Sequence, residues 1–363
     1  MSKMYNIFAF LGTFILLLAF SQAFIASLFS HEGPRKEDQL TFQKHQDIHP
    51  PLGLPPIPWP KDNLYTKEKA VLGRYLYFDE RLSSNQTISC ASCHNMPCAY
   101  GDCRAIAIGI DDVKGTRHSP TIINAAYDTI FFWDGRAGSL EDQCKGPIAN
   151  PREMTNLKDS HEAHKQCVER LRENSGYKAL FKNAFGDEEI TIDKIADAIA
   201  TFERTILSGN SPYDRYVSGD RSALTKEQIH GMAIFKKVGC ANCHGGFNFS
   251  DYRFQNIGIG MDAPNPDLGR YAITHQEIDW GAFKTPSLRE AEHTGPYMHD
   301  GSLKTLEEVV DYYDKGGIKN KNLHPLMRPL NLSTEDKKAL VSFLKALSGE
   351  GWQNIQEPKE FPK

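Results

Sequence analysis

A surplus of positive charge is the first thing this 363-residue chain lacks: 42 Lys and Arg stand against 46 Asp and Glu, for a net charge of −4. Without a basic excess there is no electrostatic footprint for coating nucleic acid, and that class of partner is set aside. Runs of alternating apolar and polar residues are missing too, so an architecture built on β-sheets is not expected. With 40% hydrophobic and 24% charged residues the remaining composition is ordinary globular material, long enough for about two domains.

Cysteine is sparse, eight residues in all, yet four of the eight fall in two copies of one pattern, Cys90-Ala91-Ser92-Cys93-His94 and Cys240-Ala241-Asn242-Cys243-His244. In such a site the two thiols add to haem vinyl groups and the adjacent histidine is delivered beneath the iron as proximal ligand. A structural zinc half-site or a redox CxxC accounts for paired cysteines but not for a histidine placed twice directly after the second one. The sequence therefore encodes two covalently bound haem c groups, their irons on His94 and His244. The motifs start at positions 90 and 240, which fits one haem per domain.

The N-terminus bears on location. From Ile7 to Phe29 runs an uncharged apolar stretch preceded by Lys3, long enough to cross a bilayer with its C-terminal end outside the cytoplasm. Residues 1–30 are thus read as a signal peptide or membrane anchor. Ser21-Gln22-Ala23 is a passable cleavage site, but apolar residues continue beyond it, which favours a retained anchor. Either choice puts the rest of the chain outside the cytoplasm. Residues 31–60, charged at first (HEGPRKEDQ) and then proline-rich (PPLGLPPIPWP), read as a semi-rigid tether with little regular structure.

Beyond the tether, Thr66 to Phe78 has helical periodicity and Asp79 to Ser89 is a turn-rich approach to the first motif. Helices are expected at Ile192 to Leu207 and at Lys226 to Lys237, the second behind a Thr225/Gln228 capping box. Thr305 to Tyr313 and Thr334 to Leu347 carry the similar pairs Thr305/Glu308 and Ser333/Asp336, the last helix closing at Gly349. The expected fold is mostly α: two cytochrome c-like haem domains packed together, spanning 61–215 and 216–350, with a tail at 351–363.

Six further stretches complete the pattern: LGRYLYFDERLSS, RHSPTIINAAY, FFWDGRAGSLEDQCKGPI, NPREM, FKTPSLREAEHTGPYMHDGSLKTLEEVV and YYDKGG. With the two haem motifs they resemble the bacterial dihaem cytochrome c peroxidase and MauG family over roughly residues 60 to 350. The resemblance implies that hydrogen peroxide reacts at the first haem. Classical peroxidase members plug that haem's open face with the histidine of an IGH triplet. Here the triplet is Ile108-Gly109-Ile110, and isoleucine cannot ligate iron, so this haem is expected to be five-coordinate unless another side chain such as His118 takes the position. Glu153 and Gln143 match the family's proton-transferring and peroxide-holding groups, and Trp133 matches the aromatic residue between its haems. At the second haem the matching distal ligand is Tyr313, adjacent to Tyr312, with Met298 as the rival. A phenolate oxygen stabilises oxidised iron, whereas the methionine of peroxidase members raises the potential for storing an electron.

The resemblance also implies a calcium ion between the domains, held by an Asn side chain and backbone carbonyls of a Thr-x-Pro stretch. Thr294 and Pro296 match, but His118 replaces the Asn, and calcium prefers hard oxygen to imidazole nitrogen, which leaves its occupancy open. Cys98, Cys103, Cys144 and Cys167 remain, and in an oxidising compartment they suggest two disulfides, with Cys98–Cys103 and Cys144–Cys167 closing the shorter loops. His161, His164 and Cys167 share a helical face, where a solvated edge is the expected reading. The functional expectation is a periplasmic dihaem peroxidase or oxidase that reacts with peroxide at the first haem and shares the oxidising equivalents with the second. MauG-like oxidation of a partner protein leads over peroxide reduction with electrons from small cytochromes, and over a non-enzymatic dihaem electron carrier.

Overall fold

The computed structural model describes residues 48–363, which fall within one compact unit. The apolar stretch at 7–29 and the charged part of the tether lie outside the described residues. Among the described residues no helix is long and apolar enough to cross a membrane. The ten helices described are α1 Lys67–Phe78, α2 Leu140–Ile148, α3 Ser160–Arg172, α4 Ser175–Phe185, α5 Ile192–Glu203, α6 Pro212–Val217, α7 Lys226–Lys237, α8 Tyr271–Thr274, α9 Leu306–Lys315 and α10 Thr334–Lys345. Two-residue strands make up the sheet content: β1 Ser208–Gly209 pairs antiparallel with β4 Glu350–Gly351, and β2 Phe254–Gln255 with β3 Phe283–Lys284. The mostly helical expectation holds, and long loops connect the helices.

Hydroxyl and carboxamide caps start the helices. The side chains of Thr66, Ser139, Thr191, Thr225, Thr305 and Ser333 each accept the backbone N–H three residues on, which removes one orphan donor per helix. The expected helices at 192 and 334 stop at Glu203 and Lys345, earlier than their apolar pattern suggested, because the following residues turn back to pair β1 with β4.

The two halves repeat one plan. In the first, α1 crosses α5 so closely that a Cβ on Gly73 would sit 1.8 Å from the Ala198 carbonyl oxygen and 2.9 Å from Phe202 Cβ. In the second, α7 crosses α10 in the same way, with Gly231 1.9 Å from the Ala339 oxygen and 2.8 Å from Phe343 Cβ. Only glycine lets two helix backbones approach to that distance. Phenylalanine rings fill in beside each crossing, Tyr77 and Phe78 on Phe202, and Phe235 and Phe249 on Phe343.

The loops between the crossing helices repeat at a constant offset of 166 positions. Phe131 pairs with Ala137 as Tyr297 does with Leu303, and Phe132 and Met298 both take positive φ (64° and 74°), as do Gly135 and Gly301. Ser119-Pro120-Thr121 matches Thr285-Pro286-Ser287, and Asn124 and Glu290 share φ 61°. Carried forward, the offset sets α2 upon α9, with capping Ser139 on Thr305, Leu140 on Leu306 and Pro147 on Tyr313.

The proline-rich segment is not a free tether over its described part. Ile48, Leu54 and Ile57 pack on Tyr127 and Leu207, the Tyr127 hydroxyl donates to the Pro55 carbonyl, and Asn210 N–H donates to Leu52. Its apolar residues find partners on the body, as burial of hydrocarbon dictates. The tail likewise returns to the first half: Arg74 donates to the Gln356 carbonyl, Arg81 and Asn174 to that of Pro362, and Gly176 N–H to that of Lys363.

Candidate functional site

Each CxxCH motif folds as one 3-10 turn, Cys90–Ser92 and Cys240–Asn242, closed by the histidine N–H donating to the first cysteine's carbonyl at 2.9 Å. That turn sets both thiols and the imidazole on one side. His94 Nδ1 lies 2.9 Å from the Pro120 carbonyl oxygen, and His244 Nδ1 lies 3.0 Å from that of Phe249. A carbonyl accepts only, so Nδ1 carries the proton in both rings and Nε2 keeps its lone pair. Burial depresses both imidazoles and raises all four thiols, so the groups are neutral until a cofactor arrives.

Cys90, Cys93 and His94 line a first cavity of about 250 Å³, together with Trp133, Gln143 and Glu153. Cys240, Cys243 and His244 line a second of about 250 Å³, together with Met298 and Tyr313. Two thiols and a free imidazole nitrogen facing a mostly hydrocarbon-walled cavity form the donor set that covalent haem requires, and it occurs twice. Both sites fit the cofactor expected from the sequence. Bound there, Cys90, Cys93, Cys240 and Cys243 would hold haem edges as thioethers, and His94 and His244 would hold the irons.

Glu153 is positioned by its own turn, in which its N–H and those of Met154 and Thr155 all reach the Asn150 carbonyl. The Asn150 amide donates to Glu153 Oε1 at 2.5 Å. Burial pushes the Glu153 carboxyl above its ordinary range, opposed by the Arg136 guanidinium and this hydrogen bond. Gln143 sits on α2 about one turn from its Ser139 cap. Ile110 lies outside the cavity, buried, with its N–H donating to the Glu153 carbonyl at 2.9 Å.

His118, Trp133 and Lys284 line both cavities. Trp133 Nε1 donates to the His118 carbonyl at 2.8 Å, and its ring meets His299, the residue 166 positions on, edge to face at 6.5 Å. His299 in turn stacks on Phe283 at 3.6 Å, and burial pushes it down to about 4. At the second cavity the neighbouring tyrosines differ in use. Tyr312 donates to the Ile257 carbonyl at 2.8 Å and accepts from Ile318 N–H, so its hydroxyl is engaged away from the cavity. Tyr313 lines the cavity, and its hydroxyl has no hydrogen-bond partner among the described residues.

The three residues expected to hold calcium, Thr294, Pro296 and His118, all line the second cavity, but they do not make a calcium donor set: His118 offers imidazole, and its Nδ1 faces the Arg104 carbonyl at 3.1 Å. Two carbonyls and an engaged imidazole fall short of the six to eight oxygens calcium takes, roughly. We assign no calcium and derive no step through it. Cys98–Cys103 is a disulfide, whereas Cys144 and Cys167 are separate buried thiols, so the second expected disulfide is corrected. Their burial among apolar side chains of α2 and α3 keeps them in the neutral thiol form. His161 is exposed and His164 bonds the Lys145 carbonyl. Among the described residues no three His, Cys, Asp or Glu gather for a metal ion.

Sequence reasoning missed two groups. Arg136 lies over the Phe132 ring at 3.4 Å and pairs with Asp134, which also holds Arg117. Its signal was present in FFWDGR, where a charged pair interrupts an aromatic run. Glu203, buried against the first cavity, gave no signal beyond a lone acid ending an apolar helix.

A family model described as di-haem cytochrome c peroxidase matches residues 67–222. The chain is 44% identical over 298 residues to the methylamine utilization protein MauG of Methylorubrum extorquens, covering 81% of this chain and 82% of that one. It is 38% identical to cytochrome-c peroxidase IdrP1 of Pseudomonas sp. strain SCT, over 83% of this chain and 86% of that one. Among solved structures, a MauG-like protein associated with microbial copper homeostasis aligns with a TM-score of 0.80 and 32% identity, over 86% of this chain and 99% of its own.

Proposed function

Because the chain belongs to the di-haem cytochrome c peroxidase family, we propose that it reacts with hydrogen peroxide at the site of Cys90, Cys93 and His94 and passes the oxidising equivalents through Trp133 toward a partner protein, as a MauG-like oxidase. It is a haem peroxidase-type oxidoreductase with two haem groups, peroxide as oxidant and a redox partner protein. We assign residues 61–215 and 216–350 as the two haem domains, and the periplasm as the compartment into which the 7–29 segment delivers them.

The observation that carries this reading is the pairing of Pro147 with Tyr313 in the duplicated fold. Where the second cavity receives a phenol with a free hydroxyl, the first receives a proline ring, which has no donor atom for iron. Ile110, turned away from the cavity, adds none. With haem bound, the first site would leave room for a small oxidant, and the second would offer the iron the Tyr313 oxygen.

Haem bound at the first site, held by Cys90, Cys93 and His94, would supply the iron at which peroxide is reduced. Glu153 takes a proton from one peroxide oxygen and returns it to the other, and the burial that raises its pKa helps it hold that proton between the two transfers. Asn150 holds the carboxyl while Gln143 orients the peroxide by its amide. Trp133 spans the two cavities, and because its N–H faces a backbone carbonyl that cannot accept the proton, the indole keeps that proton while an electron passes. Tyr313 at the second site favours oxidised iron, which suits delivery of oxidising equivalents.

The peroxidase alternative, electrons drawn from small cytochromes, is favoured by one observation: Met298 lines the second cavity beside Tyr313. Turnover with reduced cytochrome c separates the two. Slow oxidation by the wild type and faster oxidation by Tyr313→Met supports the oxidase. Rapid peroxide-dependent oxidation by the wild type overturns it.

A further inference from the structure

Glu203 ends α5 and takes no part in the chemistry above, yet it is 4% exposed, lines the first cavity, and has one carboxyl oxygen, Oε2, without a hydrogen-bond partner among the described residues. The titratable and charged groups that face it are Tyr77 on α1, Glu141 and Cys144 on α2, Arg204 beside it, and Cys90 of the haem motif, with Cys167 on α3 behind Cys144. Tyr77 donates its hydroxyl to the His94 carbonyl. Arg204 is bonded through both terminal nitrogens to Glu141, so it leaves Glu203 without a counter-ion of its own. Haem attachment consumes the Cys90 thiol. Burial pushes the Glu203 carboxyl up to about 8.

The duplicated fold provides an internal control. The helix crossings align Ala198 with Ala339 and Phe202 with Phe343, which sets Glu203 upon Leu344, and Leu344 lines the second cavity. The same position against two equivalent sites carries a carboxylic acid in one and hydrocarbon in the other. A ferric haem centre bears one more positive charge than a ferrous one, and in a water-poor wall that charge acts on a nearby carboxyl with little screening.

We propose that Glu203 is the redox-linked proton acceptor of the first haem site. When the iron on His94 passes from ferric to ferrous by taking one electron from an external donor, the Glu203 carboxylate takes one proton from solvent, and it returns that proton on re-oxidation. This rests on haem attachment at Cys90, Cys93 and His94, and not on which partner receives the oxidising equivalents. The sign follows from charge. The ferric centre favours the carboxylate, so the acid ionises at lower pH in the oxidised protein than in the reduced one. Between those two values one proton accompanies each electron and the potential falls as pH rises.

The test is spectroelectrochemical titration of the two-haem protein from about pH 6 to about pH 10, a span around the shifted carboxyl. One of the two potentials is expected to fall with pH in the wild type and to lose that slope in Glu203→Gln and Glu203→Leu, while the other is the same in all three proteins. Infrared difference spectra of the wild type decide the matter even if neither variant folds, because reduction within the sloping interval should create a protonated-carboxyl band. Two flat wild-type potentials, a slope that survives in Glu203→Gln, or a missing band each overturn the proposal. A wild-type protein carrying only one haem would overturn the reading of the site itself, and this proposal with it.

Discussion

Gly109→Ala should disable the peroxide site without changing the identity of any residue that lines it. The Gly109 backbone (φ −91°, ψ −160°) is open to any residue, so the effect of the added methyl is purely steric. A Cβ there would lie 2.2 Å from the Arg152 oxygen, 2.6 Å from the Glu153 oxygen and 2.7 Å from Glu153 Cα. All three are backbone atoms and cannot swing aside. Ordinary contact begins at 3.4 Å, so the two segments must part by about 1.2 Å, the difference between 3.4 and 2.2 Å, and the Ile110 N–H bond to Glu153 must stretch with them. A misplacement of about 1 Å costs a positioned catalytic group on the order of 100-fold in rate. Overpacking also costs about 1–3 kcal/mol of stability. Stopped-flow mixing of peroxide with wild type, Gly109→Ala and Glu153→Gln measures the first effect, with haem content as the control. A fully haem-loaded Gly109→Ala protein that reacts at the wild-type rate, beside a slow Glu153→Gln, would refute the argument that this contact places the carboxyl.

Two further outcomes are expected. Glu153 acts first as a base, and burial raises its carboxyl above the ordinary 4.5, so the peroxide reaction should rise with pH through an inflection above that value. Glu153→Gln should remove the inflection and slow the reaction by about 10²–10⁴-fold in rapid-mixing kinetics. Gly73→Ala and Gly231→Ala should each destabilise the haem-loaded protein in urea by on the order of 3 kcal/mol, because the new Cβ meets a helix carbonyl at 1.8 or 1.9 Å. Helix propensity alone would stabilise by about 1 kcal/mol, so a gain in either variant would discredit the crossing geometry.

What the sequence made legible was local. The CxxCH turns, the Thr and Ser caps, and the apolar stripes of α1, α7, α9 and α10 are each written within a dozen residues, and the structure places them where their pattern indicated. α2, α4 and α6 went unread because their apolar faces are short and broken by polar residues or, in α2, by Pro147, and α3 was read only as the helical face of His161, His164 and Cys167. The duplication was harder to see. Only scattered residues are shared between its halves, such as Pro120 with Pro286 and Asp134-Gly135 with Asp300-Gly301, whereas the backbone keeps positive φ at Phe132 and Met298 despite unlike side chains. Free cysteines at 144 and 167 and the buried acid at 203 depend on contacts between distant segments, which spacing does not encode.

The path of residues 350–363 straps one half of the protein to itself. β4, Gln356, Pro362 and Lys363 all bond to segments made far earlier, at 74, 81, 174, 176 and 208–209. The contacts made by residues 350–363 therefore hold the first half together, and removing them should loosen that half before the second.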